Sequence, residues 1–470
     1  MTVLGIVIAI AGLAVSLVSR KWLYRLFLLS IPFSGTSVIN VGTGLNASGV
    51  QVWMYLGSLL LLRDLCGWLL NPDARLAPSF LKRFLPLGIF ILVLTLSLLM
   101  PIYINGKLEI EAPTLTDFSS SPLYFSSRNA TTFLYVVFGA LLTISIARRN
   151  IQPEEVRMTE RTYLLAGIVT CILGVSEFVA HLVNLPSPTV LFRNSASPGA
   201  AGNLALLEGV GRVSSVAVEP SVLTLFLCTV VPLTLPALLG RGYIYSRRID
   251  RWCFFLFLLT LLLTTSTAAY AVLIFAPILC LPVISKLGIK ITRGAFYSLL
   301  GLFTLGCASA GLYSVSSTAQ QVLNAALLTK GESYSALERL KTISLAWEYF
   351  KQYPVLGVGW GSVTSDDLIC FLLANSGLMG LLAFSLILVG IARPILRQMT
   401  GTPDRVSASR GVWLLSVVLL IAACVVTTFP FVFGFLWMVI AMGIAAGSTD
   451  YLKKDAEPAR STVLSRAVRT

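Results

Sequence analysis

One histidine, His181, stands in 470 residues, and that scarcity removes any histidine-built metal site. The eight cysteines lie in or at the edge of apolar runs, none spaced C-x-x-C, so they behave as small hydrophobes and not as a zinc or disulfide framework. Charge is scarce as well: 12% of residues are charged, against about 25% in a soluble domain. The chain lacks a G-x-x-x-x-G-K-[ST] loop, a dinucleotide fingerprint and a DxD motif in any soluble domain, so it carries no recognisable nucleotide-binding unit.

What it has is apolar residues, 56% of the total. Runs near 20 residues are long enough to cross a bilayer core of about 30 Å. The pattern predicts an all-α polytopic membrane protein. The expected spans are 2–18, 22–40, 49–70, 84–104, 131–147, 162–183, 221–240, 252–266, 268–285, 295–314, 366–390, 411–428 and 431–447. The first apolar run lacks a basic n-region and is followed by "SRK", so it reads as a span and not as a cleaved leader. "TTST" at Thr264–Thr267 divides 252–285 into a hairpin of two spans.

The net charge of +14 would suggest nucleic acid in a soluble protein. Here its source is a set of short basic loops, Ser19–Arg25, Ala74–Arg83, Arg148–Arg161, Arg241–Arg251, Lys286–Arg293 and Arg393–Arg410, with the tail after Asp450. All fall on one side of a count of about 13 spans, which the positive-inside rule makes cytoplasmic. The reading is a single membrane domain over 1–450, a polar cytoplasmic tail over 451–470, and no nucleic-acid partner. Three long loops then lie outside, at 105–130, 184–220 and 315–365, and loops of that length in a compact protein tend to carry function.

The last of these loops contains a helix. "SALE" at Ser335–Glu338 fits a capping box, and Leu337, Leu340, Ile343, Trp347 and Phe350 recur at helical spacing as one apolar face. Arg339 lies near its rim, and Tyr353-Pro354 ends it. So amphipathic a helix belongs flat at the interface. "PVLGVGWG" (Pro354–Gly361) follows, then a span carrying "NSGLMGLLAF" (Asn375–Phe384). Earlier, "GRVSSVAVEPSVL" (Gly211–Leu223) puts Arg212, Glu219 and Pro220 just before a span.

An Arg-bearing helix, P-x-x-G-x-G and GLxGLLxF, in that order, with an Arg and an acid-Pro pair in an earlier outer loop, resembles the bacterial O-antigen ligase and polymerase superfamily. Two departures matter. Many members carry an arginine after the serine of the mid-chain hairpin, whereas Ser266 is followed here by Thr267. Ligases carry a histidine at the outer start of the late span, where this chain reads "TSDDLIC" (Thr364–Cys370). The resemblance is therefore to a Wzy-like polysaccharide polymerase, with a ligase onto another acceptor or a polytopic transporter or flippase as the alternatives.

That resemblance implies a GT-C-like glycosyltransferase of the inner membrane, needing no cofactor or metal. It would use an undecaprenyl-pyrophosphate-linked oligosaccharide at the outer face, amid membrane lipids, with chain-length regulator and flippase proteins as possible partners. Arginine suits a pyrophosphate leaving group because its planar fork matches phosphate oxygens. Arg212, Glu219 and Arg339 become the catalytic candidates, with Glu219 as base and Asp366 or Asp367 as second choice. Arg193, Lys341, Gly357, Gly359, Asp366 and Asp367 become the substrate-binding candidates. Plainer roles stay open: the arginines can snorkel to headgroups, the acids can sit at helix N-termini, the glycines can let backbone pass close by, and Glu177 with His181 can form a local pair.

The orientation has a direct check. Single cysteines replacing Phe125 and Ala200 are expected to react with an impermeant maleimide in intact cells; reaction only after lysis would reverse it.

Overall fold

The computed structural model describes residues 2–41, 48–70, 78–113, 119–196, 206–207, 210–286, 334–399, 405–428 and 430–448. The expected span 295–314, much of the loop 315–365, and the tail 451–470 lie outside these residues. The described chain is an all-α bundle in which seven helices are long and apolar enough to cross a membrane. Helix α1 (Val3–Val18) and α2 (Arg20–Ser30) are joined by Ser19, whose side chain caps α2. Then come α3 (Val52–Leu70), α4 (Leu85–Ser97), α5 (Ser127–Arg149), α6 (Pro153–Leu182) and α7 (Pro220–Val230). They are followed by α8 (Arg247–Leu263), α9 (Thr267–Lys286), α10 (Tyr334–Gln352), α11 (Leu368–Gln398), α12 (Arg405–Thr427) and α13 (Gly434–Ala446).

Helix α13 is the centre. Every one of its residues is buried, against α5, α7, α11 and α12. A helix apolar all round has no polar face to turn outward, so the others enclose it. Helix α12 continues the core by packing on α7, α9, α11 and α13. Helix α7 runs on as a tighter 3-10 turn over Val231–Thr234, because Pro232 cannot donate an α-helical hydrogen bond.

Several expectations change. The span 22–40 is not one helix: α2 stops at Ser30, and Pro32 leads into a two-stranded antiparallel hairpin of Ser37–Val41 with Ser48–Gln51. A second hairpin, Glu109–Glu111 with Ser120–Pro122, occupies the loop before α5, which begins at Ser127 and not at 131. Residues 252–285 do form two helices, and they turn at Thr264–Ser266 with Thr265 at φ +47°.

Helix α10 forms where expected but starts at Tyr334, which places Ser335 inside its first turn and not at its cap. Its Leu337, Leu340 and Trp347 are exposed. The face turned inward is Thr342, Leu345, Ala346 and Tyr349, packed on Ile104, Leu108, Leu123, Val358 and Ala374. Small residues let α10 approach α11 closely, and the Tyr349 hydroxyl accepts the Glu111 N–H at 2.9 Å, tying the second hairpin to it.

The outstanding feature is a break in α11. Gly377 has φ +65° and ψ −167°, interrupting the helical ladder, and the loop Pro354–Gly359 fills the gap. Val358 N–H donates to the Ala374 carbonyl (2.8 Å), Gly359 N–H to that of Asn375 (3.2 Å), and Leu378 N–H to that of Pro354 (2.8 Å). The Asn375 amide brackets Val363 from both sides, at 3.0 Å each. Trp360 then inserts among Phe90, Phe371 and Phe431.

A Cβ on Gly377 would lie 2.2 Å from the Val355 carbonyl oxygen, and one on Gly357, at φ +66°, 2.4 Å from that of Ala374. Gly240, at φ +70°, would meet nothing within 4 Å. Gly240→Ala should therefore cost only the left-handed strain, about 1–2 kcal/mol. Gly377→Ala should lose that and about 1–3 kcal/mol more from overlap. Thermal unfolding of the two variants in detergent compares them, and equal losses would contradict the docking described.

Candidate functional site

The two ends of the bundle differ. At one end lie the basic loops, where Arg20 pairs with Asp64 at 2.6 Å and Arg410 holds the Ala446 and Ser448 carbonyls. At the other end the loops before α5, α7 and α11 meet the turn between α8 and α9.

Arg212 leads into that second end. Its Nε donates to Thr265 Oγ1 (3.0 Å) and to the Thr264 carbonyl (3.4 Å), and its Nη2 to the Thr265 carbonyl (3.4 Å). The α8–α9 turn, with no arginine of its own, thus receives one from the loop before α7. Glu219 sits at the N-cap position of α7, extended at φ −146°, with Pro220 beginning the helix. It is exposed, and among the described residues only Ser221 Oγ donates to it, at 3.0 Å.

The segment between these two residues is pinned from below. Glu177, 1% exposed in α6, accepts the Ser214 N–H (3.1 Å) and the Ser215 N–H (2.6 Å). Arg193 pairs with Glu177 and Ser214 Oγ and donates to the Ser215 carbonyl at 3.0 Å. Arg193 is therefore engaged in holding the loop. Glu177 bonds to Arg193 and not to His181, whose ring nitrogens are buried without hydrogen-bond partners among the described residues. Ser215, at φ +53°, shows how tightly the turn is drawn, since a non-glycine residue rarely adopts that backbone.

Arg339 comes from α10, on its inward face with Thr342 and Ala346, and is half-buried. Thr342 Oγ1 lies 2.9 Å from the Arg339 carbonyl and 3.3 Å from Asp366 Oδ2, and it accepts the Asp366 N–H at 3.4 Å. Asp366 is thereby held beside Arg339.

The four groups sense one another. Burial lowers the pKa of Arg212, the charge of Arg339 lowers it further, and Glu219 opposes both. Burial pushes the Asp366 carboxyl above its ordinary range against the pull of Arg339 and the Thr342 bond, with Glu219 and Glu338 adding to the rise. Arg212, Glu219, Arg339 and Asp366 are thus one electrostatic cluster, although no carboxylate lies within the 4 Å ion-pair limit of either guanidinium among the described residues. Two half-buried guanidiniums without a bonded carboxylate suit an anion with several oxygens.

The other candidates fall elsewhere. Asp367 caps α11, its Oδ1 accepting the Cys370 N–H at 2.6 Å. Lys341 is two residues beyond Arg339, about 200° around the helix. Gly357 and Gly359 belong to the loop docked in the α11 break. Sequence reasoning missed Thr342, the Thr264–Thr265 carbonyls and Tyr270, whose hydroxyl is within electrostatic reach of Arg212. The "TTST" turn was the available signal for the carbonyls; nothing in the spacing marked Tyr270.

No protein-family model and no curated protein matches the chain.

Asp366 carries a pH prediction. A carboxyl with a raised pKa binds its proton more tightly folded than unfolded, so its stabilisation is present at low pH and is lost as pH rises through the folded pKa. At neutral pH the half-buried charge destabilises. Asp366→Asn should raise the melting temperature at pH 7, and the gain should vanish near about pH 4. A gain independent of pH would contradict the assignment.

Proposed function

We propose that the chain is a polymerase of lipid-linked oligosaccharide repeat units, a glycosyltransferase acting at the outer face of a bacterial inner membrane. The observation that carries this reading is the convergence of Arg212, from the loop before α7, and Arg339, from α10, at the end of the bundle opposite the basic loops. That separation of charge also fits the count of about 13 spans with the site outside and the basic loops in the cytoplasm.

In this reading the donor is a glycan on undecaprenyl pyrophosphate. As the bond from the anomeric carbon to the pyrophosphate oxygen breaks, negative charge collects on the leaving group. Arg212, already braced by Thr264 and Thr265, and Arg339, braced on α10, stabilise that charge without reorganising. A hydroxyl of the acceptor sugar attacks the same carbon and gives its proton to a carboxylate. Glu219, exposed at the mouth of α7, is the first choice. Asp366, with its carboxyl pushed upward by burial, is a stronger base than an ordinary aspartate and stands second. Lipid carries the donor, so no nucleotide is consumed.

A broken helix is also what transporters use to form a substrate site. Here the backbone groups at the α11 break are already bonded to Pro354, Val358 and Gly359, and the charged cluster lies at one end, which favours the enzyme.

Arg212→Ala and Arg339→Ala should each reduce glycan elongation by about 100- to 1,000-fold, the usual loss for a charge-stabilising donor. Surface expression should be unchanged. Lysine in either place should restore only part of the activity, because it lacks the fork. Gel analysis of glycan length reads the outcome, and normal chains from either alanine variant would remove that residue from the site.

Purified protein should extend a lipid-linked repeat with no added nucleotide. A requirement for a nucleotide sugar would overturn the mechanism.

A further inference from the structure

At the opposite, basic end, a cavity of ≈ 440 Å³ opens among α2, α3, α5 and α6. Its walls carry four cations, Arg20, Lys21, Arg148 and Arg149, against two carboxylates, Asp64 and Glu155. Asp64 is committed: it is 3% exposed, paired with Arg20 at 2.6 Å and bonded by Ser145 Oγ. Arg149 is not. Its guanidinium sits over the Tyr24 ring, 4.5 Å from the centroid, and neither it nor Lys21 has a carboxylate in ion-pair reach among the described residues. The ring beneath is fixed, since the Tyr24 hydroxyl is 3.1 Å from Thr159 Oγ1 and accepts from Asn150 Nδ2 at 2.8 Å. Arg148 lies 5.4 Å over Trp68 in the same way. Gly67, in the wall, leaves open space where a side chain would stand.

Two features specify a ligand. The excess of cations, held on aromatic faces, asks for an anion with several oxygens. Glu155 Oε2, buried without a hydrogen-bond partner among the described residues, asks for a donor beside it. A phosphate ester that carries hydroxyl groups supplies both.

We infer that this cavity is a binding site for a phosphate group bearing neighbouring hydroxyls, either a glycerol-type phospholipid headgroup or a soluble phosphate. The phosphate oxygens accept from Arg149 and Lys21, and a hydroxyl donates to Glu155. Helix ends that are basic and carry tryptophan lie at the depth of lipid headgroups, so the bilayer can supply the ligand directly. The site stands apart from the Arg212–Arg339 cluster and does not depend on the activity proposed for it.

The test measures retention of lipid by native mass spectrometry, and thermal shift, on the full chain in detergent. The probes are phosphatidylglycerol, phosphatidylcholine and inorganic phosphate. Phosphatidylglycerol should be retained in preference to phosphatidylcholine. Arg149→Gln and Lys21→Gln should each weaken that retention about fivefold. Lys21 is exposed, so its variant tests the site even where Arg149→Gln disturbs packing on Tyr24. The charge-matched control Arg247→Gln, at a basic residue on α8, should change nothing. Stabilisation by inorganic phosphate that is lost in the same two variants supports the site with a soluble source. Equal retention of the two lipids with no phosphate effect, or equal losses in the α8 control, would overturn it.

Discussion

The hydrogen bonds between the Pro354–Gly359 loop and the break in α11 are the constraint on which the candidate site rests. Helix α10 and the start of α11 carry Arg339 and Asp366, and neither end is otherwise fixed to the other by a continuous element. By giving its own carbonyls and N–H groups to Ala374, Asn375, Leu378 and Met379, the loop supplies partners that the break takes from the helix. A broken ladder buried without such partners would leave several backbone groups unpaired in an apolar setting, each at a cost of about 1–3 kcal/mol. Left-handed backbone at Gly357 and Gly377 is therefore a condition of the site's geometry, although neither glycine belongs to its chemistry.

The opposing wall is set by a different device. Glu177 is a carboxylate deep in α6, and its two oxygens are taken up by two backbone N–H groups and Arg193. A carboxylate removed from water needs several donors at once, and the turn at Ser214–Ser215 supplies them only when drawn tight. Drawing it tight fixes Arg212 on one side and Glu219 on the other. The strain at Ser215 and Thr265 is tolerated because the surrounding bonds over-determine both turns.

Much of this was legible in the sequence, and the remainder has physical reasons for being hidden. Long apolar runs marked α3, α5, α6, α11 and α12, and the division of α8 from α9 followed from "TTST". Arg212, Glu219 and Arg339 were singled out and are brought together, with Asp366. The α11 break was not visible, because one glycine within a long apolar run reads as a tolerated helix residue. The end of α2 was missed because apolar residues continue past Ser30 into a hairpin, and a run of that kind does not distinguish helix from strand. The inward face of α10 was missed for the reverse reason. Its hydrophobic stripe is what faces out, and the packed side is Thr342, Ala346 and Tyr349. Hydropathy locates the buried side of a helix in water, whereas at a lipid boundary the smaller and more polar side can be the one that packs.

The arrangement of charge gives the last step. A carboxylate taken out of water needs a bonded cation or several donors, and Asp64 has Arg20 while Glu177 has Arg193. Arg212 and Arg339 differ, half-buried and facing each other's charge with carboxylates near but not bonded. Two like charges in that position oppose folding, and burial adds to the opposition. Two guanidiniums held together without a bonded counter-ion among the described residues favour negative charge beside them. An occupant that brings it relieves both the repulsion and the desolvation, and relieves them more as its charge grows. Under the proposed function, that occupant is a pyrophosphate losing its glycosyl bond, whose growing charge would be held more firmly in the transition state than before it.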